Sequence, residues 1–145
     1  MANSPTPIDP RGPRFNQAVL TTALLLGFLT DTPAVAPVFA AVLFTGAAFG
    51  PRYGLFLRLY AVAIRPRLGP PAELEDPRPP RFAAAVGVGF LVAASVAFAA
   101  GAATVGWSLA LVVAALAGLA ATTGICVGCE VYLFLARRRG IELAA

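Results

Sequence analysis

Two cysteines and one carboxylate carry most of the chemistry this sequence offers. Cys126 and Cys129 are the only thiols in the chain, three residues apart in Gly124-Ile125-Cys126-Val127-Gly128-Cys129-Glu130. On a helix that spacing is close to one turn, so both sulfurs can face the same side. Such a pair can close a disulfide, share a soft metal ion, or pack as two small apolar side chains. A Cys-x-x-Cys pair at the start of a helix is also the arrangement used for thiol–disulfide exchange. The free N–H groups of the helix and nearby cations stabilise the first thiolate, and the second thiol resolves the mixed disulfide. Gly124 can break a helix and set Cys126 at a new N-terminus, so Cys126 is expected to attack and Cys129 to resolve. Glu130 is a carboxylate among apolar residues, able to take a thiol proton or to pair with an arginine. The catalytic candidates are therefore Cys126, Cys129 and Glu130; in the metal alternative Cys126 and Cys129 are the ligands. The chain has no histidine, the commonest metal ligand and proton shuttle. Nothing in the sequence requires a cofactor.

The elements that position these residues read as membrane helices. Of 145 residues 59% are hydrophobic and only 12% charged, about half the charge of a soluble domain. That leaves too little polar surface to cover a globule in water and directs the excess into lipid. All eleven basic residues are arginine. The high nominal pI suggests nucleic acid in a soluble protein, but arginines flanking apolar spans set orientation and meet anionic headgroups, so no nucleic acid is expected. Two cysteines are too few for a disulfide scaffold.

In chain order, residues 1–14 form a Pro- and Arg-rich cytoplasmic tail, and residues 15–145 a single membrane domain. No cleaved signal peptide is expected, because the first apolar run begins only at Phe15. That run ends near Thr30, with Asn16 and Gln17 at its interface. Asp31-Thr32-Pro33 turns the chain into a second run, Pro33 to Gly50. Residues 52–65, with Arg52, Arg58 and Arg65 among apolar residues, read as an interfacial amphipathic segment. A polar loop, 67–80, precedes a third run from Phe82 to about Ala103. The fourth run, Trp107 to Ala136, is closed by Arg137-Arg138-Arg139. Its thirty residues would reach about 45 Å against a hydrocarbon core of about 30 Å. It must tilt, or bend near Gly124–Gly128. Tyr53, Tyr60, Tyr132 and Trp107 are expected as interface anchors.

The chain also repeats itself. Asp9-Pro10-Arg11 with Pro13-Arg14-Phe15 recurs 67 residues later as Asp76-Pro77-Arg78 with Pro80-Arg81-Phe82. The ends of the halves match less well, Thr45-Gly46, Gly50 and Leu55-Phe56-Leu57 against Thr123-Gly124, Gly128 and Leu133-Phe134-Leu135, at an offset of 78. That alignment sets Ala48 and Pro51 opposite the cysteines. The expectation is an all-α integral membrane protein of four transmembrane helices, two parallel helical-hairpin repeats over 9–66 and 76–139. Every arginine then lies on one side, which the positive-inside rule makes cytoplasmic, with both termini. Arg11, Arg14, Arg78 and Arg81 share the membrane face of the cysteines. They can lower a thiol pKa, bind an anion, or simply set topology.

The lead-in Asp9-Pro10-Arg11 with Pro13-Arg14-Phe15-Asn16-Gln17, the Phe49-Gly50-Pro51 and Arg65-Pro66 segments, Arg81-Phe82 and the Gly-x-Cys-x-Gly-Cys run at 124–129 resemble a bacterial membrane family. It is catalogued as a domain of unknown function and is common in actinobacteria. The resemblance implies a small protein of the cell membrane with Cys126 and Cys129 as motif residues, and a thioredoxin-like or sulfur-transfer protein as partner; it assigns no reaction. The expected activity is thiol–disulfide redox or sulfur relay near the cytoplasmic face. The alternatives are a carrier of thiophilic metal ions or small sulfur compounds, and a non-catalytic scaffold.

Overall fold

The computed structural model of the chain describes residues 6–141, and these are helical apart from turns and one isolated bridge. The outermost residues of the tail and of the membrane domain read from the sequence, 1–5 and 142–145, lie outside the described residues. Helix α1 (Arg11–Leu29) starts four residues before the apolar run, because the Asp9 carboxylate accepts the Arg11 N–H at 2.9 Å. The same device opens α5 (Arg78–Ala99), where Asp76 accepts the Arg78 N–H at 2.9 Å and pairs with its guanidinium. An aspartate at this place satisfies a helix donor that has no intrahelical acceptor. The two lead-ins meet. Ile8 and Glu75 exchange backbone hydrogen bonds of 2.8 and 2.9 Å as an antiparallel bridge.

Helix α2 (Val35–Phe49) and α6 (Ala103–Thr123) complete the bundle. Helix α1 packs along α6 and α5 along α2, while α5 also lies along α6. Among the described residues Leu24 and Leu91, 67 apart, are the two large side chains with no exposure. Alanines Ala36, Ala40, Ala110 and Ala114 are buried at the crossings, where a methyl side chain lets helix backbones approach closely. At the far end Asp31, with φ of 48°, accepts the Trp107 Nε1–H at 3.2 Å. Trp107 packs edge-on against Phe28 and Phe98 and is 8% exposed. The expected surface anchor is thus a buried tie between the two inter-helix turns.

After α2, Gly50 turns the chain with φ of 97° into a short 3₁₀ turn, Pro51–Tyr53. Then follow α3 (Leu55–Leu59), a π-helical stretch Tyr60–Ile64, and α4 (Arg65–Leu68). The fourth run does not continue straight: α6 ends at Thr123 and α7 (Val127–Arg138) begins after a break. Helix α3 returns onto α1, and α7 onto α5. Phe15 meets Tyr60 at 6.0 Å between ring centroids, and Phe82 meets Tyr132 at 5.5 Å. Tyr60, expected at the surface, is buried and donates to Asp9 at 3.2 Å; Tyr53 is exposed.

These ring pairs revise the alignment of the half-ends. Tyr60 and Tyr132 are 72 apart, as are the N-cap residues Gly54 and Cys126. The first-turn bonds Arg58 N–H to Gly54 O and Glu130 N–H to Cys126 O, both 2.9 Å, keep the same spacing. Gly54 and Leu57, rather than Ala48 and Pro51, therefore stand where Cys126 and Cys129 stand. The offset of 78 came from matches in a Gly- and Leu-rich background that packing does not honour.

Two helices, Arg78–Ala99 and Ala103–Thr123, are long and apolar enough to cross a membrane. Helix α2 is apolar but shorter, and α1 opens with its polar lead-in, so two of the four expected spans meet that test.

Candidate functional site

The thiols are presented by the break between α6 and α7. Gly124 closes α6 in the left-handed region, φ 79°, its N–H reaching Ala120 O at 3.0 Å. A side chain is disfavoured twice over: by that φ, which L-residues rarely adopt, and by the Arg14 guanidinium, which a Cβ here would have to displace. The Thr123 hydroxyl accepts the Ile125 N–H at 3.1 Å, turning the chain so that Cys126 is extended and caps α7. Gly128, one residue into α7, lies against Ala83 of α5, where a Cβ would come within 2.7 Å of the Ala83 methyl. The absence of that carbon sets the depth of the helix start against α5.

The two thiols touch, 2.8 Å apart and without a disulfide bond. Both are half-buried. The Gln17 side-chain amide, in the second turn of α1, donates to Cys126 Sγ at 3.7 Å. The hydrogen bond from Cys129 is the main influence holding the Cys126 thiol down to about 6. Burial opposes it, and the Cys129 N–H, the Gln17 amide and the Gly128 N–H assist. Those two backbone groups act as dipoles of the helix start, since Cys126 makes no side-chain cap hydrogen bond. Cys129 moves the opposite way. Its hydrogen bond to Cys126, burial, the Cys126 charge, Glu75 and Glu130 all push its thiol up. One sulfur is thus a thiolate near neutral pH and the other keeps its proton.

Cys126 also lines a cavity of about 150 Å³ enclosed by α1, α2, α5 and α6 at this end of the bundle. Most of the wall is apolar, Leu20, Leu43, Phe90 and Val113 among it; Asn16, Gln17 and Arg81 supply the polar part.

The other sequence-predicted residues divide. Arg14 lies over Gly124, the residue that closes α6. Arg81 donates to the Ala47 and Ala48 carbonyls, at 3.0 to 3.2 Å, neutralising the C-terminal end of α2. Arg78 is held by Asp76, and the Arg11 N–H by Asp9. Arg78 and Arg81 thus use their side chains at helix ends, and Arg11 contributes its backbone N–H there. Glu130 is exposed beside Cys129 and makes no ion pair or hydrogen bond through its side chain with another described residue. Among the described residues no group of three or more His, Cys, Asp or Glu could hold a metal ion. Gln17 is the site residue that sequence reasoning placed elsewhere. Its signal was an amide at the head of an apolar run, read as an interface residue.

A family model described as "Domain of unknown function (DUF4395)" matches residues 8–137. The chain belongs to the DUF4395 family. The match runs from the Ile8 bridge into the last turn of α7, so the DUF4395 domain contains both lead-ins, the cavity and the thiol pair. No curated protein and no solved structure matches the chain.

Proposed function

We propose that this DUF4395 protein is a multi-pass protein of the cell membrane whose Cys126–Cys129 pair cycles between dithiol and disulfide at the cytoplasmic face. In this reading α1 and α2 cross the bilayer with α5 and α6, as two parallel repeats, with both termini on the arginine-bearing side. Helix α1 has 19 residues, about 28 Å at 1.5 Å per residue, close to the hydrocarbon thickness of about 30 Å. Helix α2 is shorter, a mismatch that local thinning accommodates at modest cost. Leu29, Phe44 and Val96 are 77%, 53% and 63% exposed on the outside of the bundle; lipid covers such side chains without cost, and water does not.

The observation that carries the redox reading is the contact between the two sulfurs at the start of α7, with Cys126 facing a cavity. The Cys126 thiolate attacks a partner's disulfide; a mixed disulfide forms and the partner's other sulfur leaves as a thiolate. Cys129 gives its proton to Glu130 or water and attacks Cys126 Sγ. The internal disulfide forms, the mixed disulfide breaks, and the partner departs as a dithiol; run in reverse, the same exchange reopens the Cys126–Cys129 disulfide and leaves the partner as a disulfide. A thioredoxin-like protein is the partner class that fits a sulfur pair at a membrane surface. The test is alkylation of intact cells before and after reduction, together with capture through Cys129→Ser. The expected result is a reducible internal disulfide in the native protein and a mixed disulfide in the variant. A pair that stays reduced under every growth condition, with no captured protein, overturns the reading.

A further inference from the structure

We propose that the cavity beside Cys126 admits the ring of a lipid-soluble quinone, and that the quinone is the oxidant that closes the Cys126–Cys129 disulfide. The inference rests on the redox reading above. It starts from what the cavity offers beyond a place for a thiol. From Ala83 to Phe90, the stretch of α5 along its wall, is roughly 10 Å at 1.5 Å per residue, with Leu20 and Val113 facing in from α1 and α6. A cavity of about 150 Å³ has room for a six-membered aromatic ring. Three of its lining residues, Val86, Val112 and Leu116, are also 40%, 44% and 42% exposed on the flank of the bundle. The cavity thus reaches the face that acyl chains cover, along the crevice between α5 and α6. An occupant from that direction is apolar.

The polar groups define the rest of the occupant. Gln17, Asn16 and Arg81 line the same end as Cys126, and all three carry N–H donors suited to a ring oxygen that gains negative charge. A single nucleophilic sulfur would suffice for acyl transfer. A second thiol in contact with the first is what the loss of two electrons as a disulfide requires. An apolar ring that accepts two electrons and two protons and travels in the bilayer is a quinone. The Cys126 thiolate adds to the ring, forming a C–S bond. The Cys129 sulfur then attacks Cys126 Sγ; the S–S bond forms, the C–S bond breaks and its electron pair stays on the ring. One proton from Cys129 and one from the aqueous side end on the ring oxygens, giving a hydroquinone. The sum is one thiolate, one thiol, one quinone and one proton converted to one disulfide and one hydroquinone.

The experiment uses the reduced full-length protein in nanodiscs without oxygen. It is mixed with a short-chain ubiquinone or menaquinone analogue, and separately with the water-soluble oxidant diamide. Quinone absorbance and free thiols are followed together. The expected result is one quinone consumed per two thiols lost. Ala84→Phe, which fills the cavity, and Val112→Phe, which narrows its flank, should each slow the quinone reaction at least tenfold and leave the diamide reaction within twofold. The unchanged diamide rate shows that the variants hold a native thiol pair. Diamide oxidation with no quinone reaction, or a quinone reaction indifferent to both substitutions, overturns the quinone site and leaves the redox pair standing. Failure of diamide as well overturns both.

Discussion

Gly54 at the head of α3 and Cys126 at the head of α7 are both extended N-cap residues, and each helix then turns back through a Tyr–Phe ring contact onto the first helix of its own half. Three of the side chains that differ bear on the thiol chemistry. Leu57 takes the place of Cys129, Gly54 that of Cys126, and Ala84, 67 residues after Gln17, that of the amide donor. Gly54, Ala84, Gln17 and Cys126 all line the same cavity. A helix start facing a cavity is thus present twice, and chemistry is present once. The thiolate depends on a donor thiol and an amide added to the helix terminus, not on the terminus alone.

The largest effect expected from breaking this difference is Cys126→Ser, which should abolish disulfide formation in the labelling assay; Cys129→Ser should leave an alkylatable Cys126. Transplantation goes the other way. Gly54→Cys with Leu57→Cys, in a chain with both native cysteines replaced by serine, should give a pair that oxidises with diamide. Its alkylation midpoint should lie above that of native Cys126, and adding Ala84→Gln should bring it down. A transplanted pair that titrates as low as the native one without the amide would show that the helix start suffices.

The ends of α2 and α6 permit a finer test. Gly50→Ala meets only a backbone penalty, since nothing lies within 4 Å of its added carbon; at φ 97° and ψ 173°, a region almost confined to glycine, about 1–3 kcal/mol is expected. Gly124→Ala, in the left-handed helical region, meets a milder backbone penalty of about 1–2 kcal/mol but must also displace Arg14. Adding Arg14→Ala should therefore lessen its drop in unfolding midpoint in denaturant and leave the drop of Gly50→Ala unchanged. The smallest effect concerns pH. The alkylation rate of Cys126 follows its thiolate and should reach half its plateau near pH 6. Removing a donor to the thiolate disfavours the charged form and raises the pKa. Gln17→Leu should therefore move the midpoint up by roughly half to one unit, the size of one ordinary hydrogen bond.

Much of the fold was legible in the sequence. The apolar runs, their breaks at Asp31 and Gly50, and the recurring Asp-Pro-Arg lead-ins locate α1, α2, α5 and α6, because hydrophobic length and helix-start chemistry are local signals. The break at Gly124 was visible as an alternative, since a run too long for a bilayer must tilt or bend. The register of the half-ends was not legible: Phe15–Tyr60 and Phe82–Tyr132 decide it through contacts between distant segments. Trp107 and Tyr60 were misplaced for a related reason. Their amphipathic character suits an interface, yet Asp31 and Asp9 supply buried acceptors that composition does not reveal. Of the site, the cysteines were plain. The break at Gly124 already marks Cys126 as the expected nucleophile; what was not legible is the set of contacts that lowers its pKa, chiefly the Cys129 hydrogen bond and in part Gln17, which is 109 residues away in sequence.

Ile8 and Glu75 are separated by the same 67 residues that relate Phe15 to Phe82, so the bridge joins a position to its own counterpart. A joint of that kind is self-complementary: whatever one segment offers, it also asks for. Two copies of a single half would carry every donor and acceptor it needs. The covalent tether therefore adds no bond to this joint; it adds licence for the partners to differ, and a molecule with two places for a sulfur pair can fill just one.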